Sequence, residues 1–274
     1  MPLSRLGVCS WSLQPDSPPT LLEHVSATGI SHVQLALTPL VSNRDVWADT
    51  IGMLTDAGIN VISGMIEPVG EDYSTIDSIK VTGGIRPSAH WPANEAMLRA
   101  AAVVAADAGV SCITLHAGFL PHDPADAERA VMVQRLQAMA DICADQGLTL
   151  GLETGQEDAD TLLAVLGEID RANLGVNFDP ANMVLYGTGE PIAALEALRD
   201  HVVQVHIKDA LPPVEHGQWG SEEPVGEGIV DWDAFLTTVN DIKRPLDAVI
   251  EREAGTNRVQ DIRTAADRVQ GAIA

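Results

Sequence analysis

Short apolar runs alternate along this chain with segments in which apolar residues recur every three or four positions. The runs are rich in Val, Ile and Leu, which is typical of strands that bury both faces in a parallel sheet. They predict eight strands, at 6–11, 30–37, 59–66, 110–116, 148–154, 174–178, 202–207 and 247–251. The intervening periodicity predicts helices, among them those at 95–108, 125–145, 158–169 and 233–242. Eight strands that alternate with helices predict an α/β fold, the (β/α)₈ barrel.

The chain shows no internal boundary. An open, doubly wound sheet is the alternative architecture, but no GxGxxG follows the first predicted strand, which disfavours a dinucleotide-binding fold. We therefore expect residues 1–274 to form a single TIM-barrel domain. Two stretches, at 67–93 and 210–230, are predicted to be long irregular loops. Both follow strand ends, and loops in that position build the active-site face of a barrel.

Composition narrows the classes of partner. The 274 residues carry 16 Lys and Arg against 39 Asp and Glu, a net charge of −23, which disfavours nucleic acids and anionic membranes. Three scattered cysteines favour a reducing compartment. The chain lacks a stretch of 18 apolar residues, and its start lacks a signal-peptide pattern. We expect a cytoplasmic enzyme or binding protein.

Ionisable residues end the last four predicted strands. They are Glu153, Asp179, His206 and Glu251, separated by 26, 27 and 45 positions. One strand–helix unit of a barrel takes roughly 30 residues, and the stretch 210–230 accounts for the longest interval. The four side chains are therefore expected at one height on adjacent strands. They would converge at one side of the barrel mouth.

Three carboxylates that converge without a cation repel one another and resist burial. With one imidazole, they form a ligand set for a divalent ion, with Mn²⁺, Mg²⁺ or Co²⁺ favoured and Zn²⁺ as a further alternative. Each residue also has a simpler interpretation. A strand-end Glu is commonly solvated, a His commonly packs or caps, and Asp179 before Pro180 can begin a turn. The coincidence of four such residues at one level favours one metal site.

Several segments resemble the sugar phosphate isomerase/epimerase superfamily, whose fold is the xylose isomerase-like TIM barrel. They are GLET (151–154), NFDPAN (177–182), VHIKD (205–209), GEGIVDW (226–232) and VIERE (249–253). The resemblance implies that one divalent metal is held by Glu153, Asp179, His206 and Glu251. It also implies that Glu153 and Glu251 are the catalytic acid/base pair.

The sequence departs from this family pattern at two positions. Asn182 stands where ketose epimerases often have a substrate-contacting His, and Gln34 stands where many relatives have Glu. Asn182 can still bind a hydroxyl group, as can Lys208, which we expect to stabilise an enediolate or to pair with the acidic cluster. His116, at the end of the fourth strand, and Trp11, after the first, are further candidates for substrate binding.

These features favour a metal-dependent isomerase or epimerase that moves a proton at a carbon beside the carbonyl of a small polyhydroxy ketone or aldehyde. The main alternative is a lyase of the same superfamily, such as a dehydratase. A metal-dependent nuclease is disfavoured by the acidic surface, and a non-catalytic sugar-binding barrel by the complete ligand set. The expected partner is a small sugar or polyol, and a homo-oligomer is compatible with the sequence.

Overall fold

Eight parallel strands close into a barrel in the computed structural model, which describes residues 3–215 and 217–272. The barrel strands are β1 (Leu3–Cys9), β2 (His32–Ala36), β3 (Asn60–Met65), β4 (Cys112–Leu115), β5 (Thr149–Glu153), β6 (Leu174–Phe178), β7 (Val202–Ile207) and β10 (Leu246–Ile250). The ring runs β1–β2–β3–β4–β5–β6–β7–β10 and closes where β1 pairs with β10. This arrangement confirms the fold class and all eight predicted strands.

Helices follow the strands and surround the barrel. They are α1 (Pro18–Thr28), α2 (Thr38–Ser42), α3 (Arg44–Trp47), α4 (Thr50–Asp56), α5 (Ile76–Thr82), α6 (Trp91–Asp107), α7 (Ala127–Asp145), α8 (Ala159–Ile169), α9 (Pro180–Tyr186), α10 (Pro191–Leu198), α11 (Trp232–Asp241) and α12 (Arg258–Val269). The four predicted helices correspond to α6, α7, α8 and α11. Across the described ranges 3–215 and 217–272, no helix combines the length and apolarity needed to cross a bilayer.

In helix α8, the apolar residues that recur every three or four positions form the buried face. Its buried residues Leu162, Val165, Leu166 and Ile169 recur at the spacing of one helix face. The helix begins where the Asp158 side chain accepts a hydrogen bond from the Thr161 N–H at 2.8 Å. That cap satisfies one of the amide groups that a first helical turn leaves unpaired.

The prediction of two irregular stretches was wrong in part. The first, 67–93, contains α5 and the start of α6. The second, 210–230, includes most of an antiparallel hairpin in which β8 (Asp209–Leu211) pairs with β9 (Ser221–Glu223). Short strands that pair only with each other carry little hydrophobic periodicity, and the Pro and Gly residues around them are typical of loops.

One buried carboxylate organises the segment that contains the hairpin. Asp209 is fully buried and accepts hydrogen bonds from the backbone N–H groups of Ala210, Gly226 and Val230 and from the indole N–H of Trp232, at 2.8–3.1 Å. Its charge lies among donors that come from both ends of the segment. Asp209 therefore ties the hairpin to the end of β7, directly above the barrel mouth.

We predict that Asp209→Ala lowers the free energy of unfolding by at least ~3 kcal/mol, because several buried donors lose a charged acceptor. At about 2–4 °C per kcal/mol, Tm should fall by roughly 6 °C or more. Calorimetry or thermal circular dichroism measures this shift. Glu227→Ala, on an exposed residue of the same segment, is the control and should change Tm little. A small shift for Asp209→Ala would show that the segment is held by other contacts.

Candidate metal centre and active site

The four strand-end residues meet at one point in the barrel mouth. Glu153 is the last residue of β5, Asp179 follows β6, His206 lies near the end of β7, and Glu251 follows β10. All four are buried, and each offers one oxygen or nitrogen atom within 4.8 Å of those of the other three. The His206 Nδ1 atom lies 3.3 Å from Glu153 Oε1, and 3.5 Å from both Asp179 Oδ2 and Glu251 Oε2. We refer to these four residues as the carboxylate–histidine cluster.

Asp179 is aimed by the helix that follows it. Its Oδ1 atom accepts hydrogen bonds from the N–H groups of Ala181 and Asn182 at the start of α9, at 2.8 and 2.9 Å. The Thr154 hydroxyl accepts from the Asp179 N–H and donates to its carbonyl oxygen. With Oδ1 and the backbone fixed, the Oδ2 atom faces the cluster. Asp179 therefore begins a helix, where the simpler interpretation of the sequence expected a turn, and it also lies in the cluster.

Gln34 orients the imidazole of His206. The Gln34 amide nitrogen donates to the Thr114 hydroxyl at 2.8 Å, which leaves its carbonyl oxygen 2.8 Å from His206 Nε2. The Nε2–H group therefore donates to Gln34, and Nδ1 faces the three carboxylates. Gln34, which departs from the Glu of many relatives, keeps the acceptor that this orientation requires.

Burial and neighbouring charges act in opposite directions on the pKa values of the cluster residues. Burial raises the pKa of Asp179 despite the nearby Lys208 ammonium. Burial alone would lower the pKa of His206, but Glu153, Cys9 and Glu251 outweigh it and raise that pKa well above its usual value. Burial would raise the pKa of Glu251, but Lys208 and His206 outweigh it and hold that pKa well below the usual range. Without a bound cation, protons and Lys208 balance the carboxylates.

Two buried atoms indicate that the cluster suits a metal ion. Among the described residues, Asp179 Oδ2 and His206 Nδ1 have no hydrogen-bond partner, although both are inaccessible to solvent. They lie 3.5 Å apart beside oxygens of Glu153 and Glu251. Buried polar atoms normally have partners, so two that face the same point call for a ligand. Three carboxylates and one imidazole fit a divalent ion that prefers oxygen.

The other predicted site residues surround this cluster. The Asn182 amide donates to Glu153 Oε1 at 2.9 Å, and His116 Nε2 lies 3.7 Å from the same oxygen. The Trp11 indole N–H donates to Glu251 Oε1 at 2.6 Å. Lys208 donates to Glu251 Oε2 at 2.8 Å and also contacts Asn182 and Glu253, so it pairs with the acidic cluster.

A cavity of about 900 Å³ opens above the cluster and is lined by all four residues predicted to bind substrate, Trp11, His116, Asn182 and Lys208. It is also lined by residues that the sequence did not identify, among them Glu71, Tyr73, Tyr186 and Trp219. The first two lie in the stretch 67–93 and Trp219 in the stretch 210–230. Loops on this face were expected to build the site, but the pattern gave no means of choosing individual side chains.

A family model described as the xylose isomerase-like TIM barrel matches residues 22–271. The fold is also similar to the xylose isomerase domain protein from Planctomyces limnophilus, with a TM-score of 0.88 and 31% identity over 99% of this chain and 98% of that one. A structure of L-ribulose 3-epimerase gives a TM-score of 0.75 at 14% identity, covering 99% and 95%. A xylose isomerase-like TIM barrel protein from Mycobacterium smegmatis in complex with magnesium gives 0.71 at 15% identity, covering 100% and 98%.

Two curated proteins match over shorter segments. The uncharacterized protein YihM of Escherichia coli (strain K12) is 36% identical over 95 residues, which are 34% of this chain and 29% of that protein. The 3-oxo-isoapionate decarboxylase of Pectobacterium atrosepticum is 32% identical over 108 residues, 38% of this chain and 39% of that protein. These matches span well under half of either relative.

We predict that Gln34→Leu weakens binding of Mn²⁺ by about 10–100-fold, because His206 loses the acceptor that orients its ring. Gln34→Glu keeps an oxygen at this position and should retain the affinity. Titration calorimetry of protein stripped with chelator measures both variants. Equal affinities for Gln34→Leu and the unmodified chain would show that His206 is oriented by its packing alone.

Proposed function

The chain belongs to the xylose isomerase-like TIM barrel family, and on that premise we propose that it is a metal-dependent sugar isomerase or epimerase. The proposed reaction moves a proton at a carbon beside the carbonyl group of a small polyhydroxy ketone or aldehyde. One observation carries the proposal. The unpartnered atoms of Asp179 and His206 face each other between two buried glutamates, at the base of a cavity that a small molecule can enter.

The proposed metal ligands are Glu153, Asp179, His206 and Glu251, and the proposed cofactor is one divalent ion. Mn²⁺, Mg²⁺ and Co²⁺ suit three carboxylates and one imidazole, and Zn²⁺ is a further candidate. Bound there, the ion would withdraw electron density from the substrate carbonyl group and acidify the neighbouring C–H bond. The magnesium complex of the Mycobacterium smegmatis neighbour supports a divalent ion in this kind of barrel.

Glu153 and Glu251 are the proposed catalytic acid/base pair. They end strands on opposite sides of His206, because β5 and β10 are separated in the ring by β6 and β7. His116 and His206 outweigh burial and lower the pKa of Glu153, so its carboxylate is ionised and can accept a proton. Proton removal by one glutamate leaves an enediolate, and proton return by the other, on the opposite face, inverts the carbon.

Lys208 is proposed to stabilise the negative charge that develops on the substrate. Burial would lower the pKa of Lys208, but Glu251, Glu253 and Asp179 outweigh it and raise that pKa well above its usual value, so the ammonium group keeps its proton. The group lies 2.8 Å from Glu251 Oε2, beside the proposed base on that side of the substrate. Asn182 fixes the other base, since its amide binds Glu153 Oε1 and its carbonyl oxygen accepts from Lys208. The substrate's hydroxyl groups would contact His116, Asn182 and Trp11.

A lyase is the second candidate, because it begins with the same proton abstraction. A dehydratase would expel hydroxide from the enediolate instead of returning a proton. The similarity of one segment to the 3-oxo-isoapionate decarboxylase, itself a lyase, supports this second candidate. The mass of the product separates the two reactions, since only a lyase gives a lighter product.

We also propose a cytoplasmic location. It is favoured by the three free cysteines, Cys9, Cys112 and Cys143.

We predict that Glu153→Gln and Glu251→Gln each lower kcat by at least ~100-fold, because each amide keeps an oxygen but cannot act as a base. A panel of ketoses and aldoses in D₂O with Mn²⁺, followed by NMR, would identify the exchanging carbon. One variant is expected to retain solvent exchange at that carbon while failing to invert it, because the other carboxylate can still remove the proton.

Glu196→Gln, on the exposed side of α10, is the matched control and should retain full activity. Both site variants should still bind Mn²⁺, though less tightly than the unmodified chain. Full activity of both variants on a substrate that the unmodified chain converts would contradict the acid/base assignment. Lys208 and Glu253 would then be the next residues to test.

A further inference from the structure

Three aromatic side chains lie together in the lining of the cavity. Trp219 lies between the other two, with ring centroids 6.4 Å from Tyr73 and 4.8 Å from Tyr186. All three line the cavity, and they come from the β3–α5 connection, the end of α9 and the loop between β8 and β9. We refer to Tyr73, Tyr186 and Trp219 as the aromatic wall. In the described ranges 3–215 and 217–272, none of the three forms a hydrogen bond with the carboxylate–histidine cluster.

The hairpin holds Trp219 in a fixed position on this wall. The N–H of Gly220, the next residue, donates to the Leu185 carbonyl at 3.2 Å. A side chain at Gly220 would lie 2.4 Å from the Leu211 carbonyl oxygen and 3.1 Å from the Leu185 Cα, so only glycine allows this approach. In β9, Glu222 accepts hydrogen bonds from the Arg252 guanidinium group and from the Glu253 N–H. The aromatic wall is therefore a built surface.

Packing alone does not account for Trp219. Its indole nitrogen is inaccessible to solvent and has no hydrogen-bond partner among the described residues. A buried indole N–H normally finds a partner. Tyr73, on the same wall, keeps 43% of its surface exposed. A partly exposed aromatic surface suits contact with the flat face of a ring.

The size of the cavity points to a substrate larger than a free hexose. Its volume of about 900 Å³ lies near the upper end of the 300–1,000 Å³ range of pockets that enclose drug-sized ligands. A free hexose is smaller than such ligands and would fill only part of this volume. The remainder, which the aromatic wall helps to line, has room for a second ring on the same substrate.

The charges of the cavity disfavour a phosphorylated substrate. Among its described lining residues, Lys208 is the only lysine or arginine, and Glu67, Glu71, Glu251 and Glu253 add carboxylates. The Lys208 ammonium group lies 2.7 Å from Glu253, 2.8 Å from Glu251 and 4.0 Å from Glu222. Its charge is already balanced by these carboxylates, so a phosphate would meet net repulsion.

We propose that the aromatic wall is a second subsite and that the substrate is an uncharged polyhydroxy ketone or aldehyde that carries a second ring. The sugar portion lies at the carboxylate–histidine cluster, and the ring, a sugar or an aryl group, stacks on Trp219. This inference rests on the proposed function for the placement of the sugar portion. Stacking on an aromatic face contributes on the order of a tenfold gain in affinity.

The test is a set of ketoses that differ at one oxygen, titrated by calorimetry into the Mn²⁺-loaded full chain. The set comprises fructose, its phosphate ester at the terminal oxygen, its benzyl ether there, and isomaltulose, which carries a glucosyl ring at the same oxygen. Isomaltulose or the benzyl ether should bind at least about tenfold more tightly than fructose. The tighter of the two shows whether the second ring is a sugar or an aryl group. The phosphate ester should bind more weakly than fructose.

Variants assign this preference to the aromatic wall. Trp219→Ala should reduce the ratio of ring-bearing to plain ketose affinity to about one, and Trp219→Phe should retain most of it. Val214→Ala, fully exposed on the same loop, is the matched control and should keep the ratio. Thermal unfolding confirms that each variant is folded. An unchanged ratio in Trp219→Ala, equal affinities for all ketoses, tighter binding of the phosphate ester or no binding at all would overturn the subsite.

Solvent exchange measured on the same samples separates the two proposals. Ring preference without exchange at any carbon would refute the isomerase function and support the subsite. Exchange without ring preference would refute the subsite and support the isomerase function.

Discussion

Three buried carboxylates around one imidazole are the constraint on which the rest of this barrel mouth depends. Burial opposes the ionised form of each acid, and mutual repulsion adds to that cost. Lys208, which contacts Glu251 and Glu253, offsets part of this cost, and so do hydrogen-bond donors such as the Asn182 amide on Glu153. Within the cluster, Asp179 Oδ2 and His206 Nδ1 have no hydrogen-bond partner in the part of the chain that the structure describes. A divalent ion between them would relieve the repulsion and satisfy both.

The residues behind the cluster explain why it keeps this geometry. Asp179 is fixed because one of its oxygens caps α9, and His206 is fixed because Gln34 accepts from its far nitrogen. Each ligand atom is therefore aimed by a contact that does not involve the metal. Such contacts preorganise a site, since little reorganisation is left to occur when the ion or the substrate binds.

The loops above the barrel add a second layer with a different chemistry. Asp209 ties the hairpin segment to β7, and Glu222 ties it to the end of β10. These two anchors hold the segment that carries Trp219 beside the cavity. The cavity thus combines a charged base, the carboxylate–histidine cluster, with a second surface built from aromatic side chains. In the functions proposed above, the first would carry the proton transfer and the second would bind a further ring of the substrate.

The sequence by itself determined the eight strands, most of the long helices and the four residues at the strand ends. Periodicity is local, and closure of a parallel barrel brings equivalent strand ends together, so spacing was enough to predict that Glu153, Asp179, His206 and Glu251 converge. Only the tertiary structure decided that Lys208 pairs with Glu251, that Gln34 orients His206, and that Trp219 joins Tyr73 and Tyr186. Those contacts link segments far apart in the chain through irregular backbone, where no repeating pattern records which side chains will meet.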